Sequence, residues 1–146
     1  MLKKLYIYWF EPIFFLFFGL FHLHRIWGLI DRKAYSNYWL NILTQKPIVY
    51  YMLMLILLVL CTSGIIVFVK NMGKNYWWRW IYIFGGGYVL FDVIAVILEI
   101  TWWNDLLRLM FDTYNPYWNI IWGGFILIGL LSFSFGIYLI HLRKKA

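Results

Sequence analysis

The chain is poor in charge, in cysteine and in proline, and each shortage excludes something. Only 13% of its 146 residues are Asp, Glu, Lys or Arg, against about a quarter in an ordinary soluble domain. With 64% of residues hydrophobic and 24% aromatic, it cannot build a water-facing surface of normal polarity. The single cysteine, Cys61, excludes an intramolecular disulfide and any C-x-x-C redox pair. The three prolines, Pro12, Pro47 and Pro116, stand where a helix is expected to begin or a loop to close. Histidine is scarce too: His22, His24 and His141 make up the full set. Haem held by two histidines needs both at one depth on facing helices. His22 and His24 share one segment on opposite faces, and His141 belongs at another level, so no cofactor is expected.

What the chain does contain is four long apolar runs, at residues 6–30, 48–69, 80–101 and 118–140. Each reaches the roughly 20 residues a helix needs to cross a hydrocarbon core about 30 Å thick. The first helix is expected to start at Glu11-Pro12, because proline suits the first turn and a carboxylate there is favoured by the helix dipole. The spans then read 12–30, 48–69, 80–101 and 118–140. The first run is expected to be a retained helix rather than a cleavable signal peptide, since it is too long and too bulky and lacks small residues in an A-x-A-like arrangement after it. Two connecting segments are amphipathic. Tyr35, Tyr38, Trp39 and Ile42 recur at near-helical spacing in the first loop. Leu106, Leu107, Leu109, Met110 and Phe111 are set against Asp105, Arg108 and Asp112 in the third. Both are expected to be short helices lying at the membrane surface. The fold class is therefore an all-α integral membrane protein: a single domain, 1–146, folded as an up-down-up-down four-transmembrane-helix bundle.

The net charge is +7, and its distribution sets the expected orientation. Eight basic residues (Lys3, Lys4, Lys70, Lys74, Arg79, Arg143, Lys144, Lys145) fall on one side of the spans. Four (Arg32, Lys33, Lys46, Arg108) fall on the other. Short loops rich in Lys and Arg stay cytoplasmic, which places both termini inside. This basic rim suits anionic lipid, so membrane lipids are expected partners and nucleic acid is not.

Small residues mark where helices can approach closely. Gly85, Gly86 and Gly87 open the third run, and Ser132 and Gly136 form a small-xxx-small pair in the fourth. All five are expected to serve helix packing. The triplet of glycines lacks the lysine, the spacing and the preceding strand of a phosphate loop.

Four ionisable residues inside the runs carry the functional expectation: His22, Arg25, Asp92 and Glu99. At about 100° per residue, Asp92 and Glu99 fall within about 20° of each other on a helix, and Arg25 lies about 60° from His22. With a rise of 1.5 Å per residue, His22 and Asp92 both lie roughly 12–14 Å below the outer boundary, and Arg25 about 7 Å below it. A charge at such depth needs a partner or a purpose. His22 and Arg25 of the first helix are therefore expected to face Asp92 and Glu99 of the third. Such a seam could lock the bundle, engage a charged residue of a partner chain, or bind a lipophilic ligand or a proton. Zinc-type ligands are present, but Arg25 would repel the ion, and no metal is expected. Ser132 and Ser134 lack a histidine at their level and Cys61 lacks a base, so no catalytic residue is assigned. The leading expectation is a non-catalytic accessory or partner-binding subunit of a membrane complex. The alternative is a small-ligand protein, either a lipid- or lipophile-binding enzyme or a proton-coupled carrier using the His22/Arg25/Asp92/Glu99 cluster.

Overall fold

A computed structural model describes residues 6–145. Among them the structure is helical, with no strand: α1 (Phe10–Leu23), α2 (Ile26–Ile30), α3 (Arg32–Gln45), α4 (Ile48–Lys70), α5 (Trp80–Ile97), α6 (Thr101–Met110) and α7 (Trp118–Lys145). A 3-10 turn, Trp77–Arg79, leads into α5. Four stretches are long and apolar enough to cross a membrane: Phe10–Ile30, Ile48–Lys70, Trp77–Ile97 and Trp118–Lys144. The two amphipathic segments are helices, as their periodicity predicts. Asp31 starts α3, its carboxylate accepting the Ala34 N–H at 2.9 Å, an N-cap bond. Pro47 then opens α4 from an extended conformation.

The chain divides into two compact units, one formed by its two ends, up to Ser36 and from Thr113, and the other by Asn37–Asp112. In the first unit α1 packs along α7. In lipid this contact depends on close fit rather than on exclusion of water, and the fit is made by glycine. A Cβ on Gly129 would stand 2.8 Å from that of His22 and 3.0 Å from the Gly19 carbonyl oxygen. One on Gly19 would stand 2.7 Å from the Phe133 backbone nitrogen. Gly136 meets Leu16, and Ser132 Oγ donates to the Phe15 carbonyl at 2.8 Å. Glu11, fully buried, accepts the Tyr8 N–H at 2.8 Å and so caps the entry to α1.

In the second unit α4 packs along α5. Gly64 admits the Tyr82 ring, and a Cβ on Gly86 would stand 3.8 Å from that of Cys61. Near the start of α4 and the end of α5, Tyr50, Ala95 and Val96 join Ile42 of α3 and Trp103 of α6 in a buried apolar cluster.

Helix α7 runs past the expected end at 140 to Lys145, and two further departures from the sequence expectation bear on the candidate site. The first span is interrupted between Leu23 and Ile26. The third helix ends at Ile97, not near residue 101, which takes Glu99 off the helix. The stop is a Schellman turn: the Ile100 N–H bonds to Ala95 O at 3.0 Å and the Glu99 N–H to Val96 O at 3.2 Å. Such a turn needs a left-handed residue at its centre, normally glycine, and Glu99 takes that place with φ of 53°.

Candidate functional site

In the first unit the interruption in the first span gathers side chains. The Arg25 N–H bonds to His22 O at 3.3 Å and the Trp27 N–H to His24 O at 3.1 Å, both three residues back, as in a 3-10 helix. At this turn the Phe21 carbonyl accepts from His24 Nδ1 and, at 3.0 Å, from Arg25 Nη1. Side chains that insert at a helix turn in this way break its continuity. The opposite nitrogen of His24, Nε2, shares a hydrogen bond with the Tyr35 hydroxyl at 3.1 Å. His22 Nδ1 accepts from Arg25 Nη1 at 2.8 Å. A carbonyl can only accept and a guanidinium can only donate, so His24 carries a proton on Nδ1 and His22 carries its proton on Nε2.

The Arg25 guanidinium sits among ring faces, 4.7 Å from the Phe125 centroid, 5.2 Å from Phe21 and 5.6 Å from Trp122. Cation–π contacts of this kind are worth about 0.5–1 kcal/mol when exposed and about 2 when desolvated. His22 stacks on Phe125, and Tyr35 meets Trp122 edge-on. Burial pushes the Tyr35 phenol up to about 12, against the pull of the Arg25 charge. His22 and Arg25 are thus in direct contact with each other. The residues that sequence reasoning missed around them are Tyr35, Trp122 and Phe125.

In the second unit Asp92 and Glu99 part company. Asp92 Oδ1 accepts from Trp103 Nε1 at 2.7 Å, tying α5 to α6. Glu99, 65% exposed, forms an ion pair with Lys46. The hydrogen bond from Lys46 lowers the Glu99 carboxyl, and Glu99 in turn raises the Lys46 ammonium. The expected stripe of two carboxylates on one helix is therefore corrected: with Glu99 in the left-handed turn after α5, the 100° rule no longer relates it to Asp92.

Lys46 adds a feature that periodicity does not reveal. It follows α3 with φ of 47°, its N–H bonded to Ile42 O at 3.0 Å, and Pro47 prevents the helix from continuing. Among the described residues, Lys46 and Glu99 are the non-glycine positions with positive φ. Side chains disfavour this conformation, and it persists where the surroundings hold it. Here the two left-handed residues hold each other. Between the ends of α3 and α5 and the face of α6 lies a cavity of about 280 Å³. Its lining is half apolar, from Leu40, Leu43, Val96 and Leu107, and half polar, from Thr44, Lys46, Glu99, Asn104 and Arg108. The sequence marks Glu99 by its charge within an apolar run and Pro47 as the entry to a span, but nothing in it signals the left-handed turns or the pairing of Glu99 with Lys46.

Of the residues assigned to packing, Gly86, Ser132 and Gly136 make the contacts described above. A Cβ on Gly85 would meet only Ile81 of its own helix, at 3.5 Å, and one on Gly87 would have no neighbour within 4 Å. Among the described residues, no cluster of three or more His, Cys, Asp or Glu is arranged to hold a metal ion. Comparison with known protein families, characterised proteins and solved structures finds no match to this chain.

Proposed function

We propose that this protein is a non-catalytic accessory subunit of a membrane complex, which docks other membrane chains along the back of α7. The observation that supports this is the two-faced pattern of that helix. Trp118, Trp122, Gly129, Gly136 and Leu139 are buried on one face. Two positions further on, Ile120, Gly124, Leu127, Leu131, Ser134 and Tyr138 form an exposed stripe on the opposite face. Leucine and isoleucine on that stripe are satisfied by lipid alone. Gly124 and Ser134 are not explained that way, since a small residue facing lipid gains nothing but room for another backbone.

The test is co-purification of the full chain from its own membranes in mild detergent, with mass spectrometry of the proteins retained. A chain retained in fixed ratio by the wild type, and reduced at least tenfold by Gly124→Leu with Ser134→Leu, is the expected result. Circular dichroism should show the doubly substituted protein to be as helical as the wild type. Retention that is equal in both, or absence of any chain in fixed ratio, would sink the proposal.

A further inference from the structure

We infer that the cavity lined by the Lys46–Glu99 ion pair binds the headgroup of a phospholipid whose net charge is the single negative charge of its phosphodiester. The first argument is charge. Glu99 balances Lys46, so Arg108 supplies the uncompensated positive charge of the lining. Its exposed guanidinium offers a planar fork of N–H donors that fits a phosphate oxygen pair. Asn104 lies one helical turn before it on α6 and adds an amide to the same cavity.

The second argument is level. α4 begins at Ile48 and α5 ends at Ile97, so a cavity bounded by Lys46 and Glu99 lies where membrane spans meet the headgroup layer. The third is size and lining. About 280 Å³ is at the lower end of the roughly 300–1,000 Å³ typical of small-ligand sites. That volume suits a headgroup, whose acyl chains would run outward over the lipid-facing helices. Leu43, Val96 and Leu107 give it an apolar floor for the glycerol end. The ion pair holds the two left-handed turns that shape this space, which gives an exposed salt bridge a purpose beyond stability.

The experiment uses the full chain in detergent, titrated with phosphatidylglycerol, with phosphatidylcholine and with inorganic phosphate, and read by native mass spectrometry. One phosphatidylglycerol bound per chain is expected, with phosphatidylcholine and inorganic phosphate each at least tenfold weaker. Arg108→Gln should weaken phosphatidylglycerol at least tenfold, while Arg143→Gln, outside the cavity, should not. Asn104→Leu, which fills the cavity without touching the charge, should weaken it as well. Inorganic phosphate binding as tightly as the lipid would overturn the assignment to a lipid. Equal binding of phosphatidylcholine would overturn the charge argument, and Arg108→Gln or Asn104→Leu binding like the wild type would remove the site.

Discussion

Lys46 and Glu99 show how two locally unfavourable residues become favourable together. Each sits in a backbone conformation that glycine usually fills, and each carries a long side chain able to reach the other. Their titrations move in opposite directions because each stabilises the charged form of its partner. The Glu99 carboxyl is lowered in the folded state, so its contribution is complete above the unfolded value and is lost as pH falls through the folded one. The Lys46 ammonium is raised, so its contribution is complete below the usual lysine value and is lost as pH rises through the folded one. The brace is therefore intact across the whole neutral range. Thermal unfolding of wild type and Glu99→Gln, followed in detergent from neutral to acid pH, should show the wild type more stable at neutral pH. The two curves should converge as pH drops below the carboxylate range. A gap that stays constant down to the lowest pH would mean that the carboxylate charge plays no part in holding these turns.

At the level of helices, the pairing of α1 with α7 depends on glycine at the points of closest approach. Gly129→Ala forces a methyl group to within about 3 Å of the Gly19 carbonyl, a backbone atom that cannot rotate aside. Overpacking of this kind costs roughly 1–3 kcal/mol. Gly124→Ala, on the same helix with nothing within 4 Å of the new carbon, removes the helix penalty of glycine and should be neutral or stabilising by up to about 1 kcal/mol. Unfolding of the two variants in detergent should separate them in that order. Equal stability would mean that α1 and α7 are not in such close contact. The helices themselves were legible in the sequence: apolar length marks the long ones, and apolar periodicity marks α3 and α6. Their ends were less so. Hydropathy continues through Leu98 and Ile100, while the backbone turns at Glu99 with no glycine to signal it. The expected seam of His22, Arg25, Asp92 and Glu99 was built on a third helix reaching residue 101, and it loses Glu99 with the last turn. Arg25 shows the complementary gap. Besides Phe21 on its own helix, the rings around it are Phe125 and Trp122, about a hundred residues away, and nothing in a four-residue period points to them.

For the whole molecule, orientation in the membrane follows from the distribution of charge rather than from any contact. On the up-down order expected from the sequence, Lys70, Lys74 and the basic tail fall on one side of the membrane and Arg32, Lys33, Lys46 and Arg108 on the other. The positive-inside tendency predicts that both termini and the α4–α5 connection are cytoplasmic, an expectation from charge alone. The cavity with Arg108 and the interfacial helices α3 and α6 would then face outward, so the proposed lipid would come from the outer leaflet. Cys61 is fully buried, which leaves the native chain nearly silent to a thiol reagent and makes introduced cysteines readable. Lys33→Cys, Lys74→Cys, Asp105→Cys and Arg143→Cys all fall at exposed positions. Treated in intact cells with a membrane-impermeant maleimide, the cysteines at positions 33 and 105 should react, and those at 74 and 143 should react only after permeabilisation. The inverse pattern would turn the molecule over and assign the phosphodiester to the inner leaflet. Reaction of 33 and 74 from the same side would mean that Ile48–Lys70 does not cross, and the up-down order of the spans would fall with it.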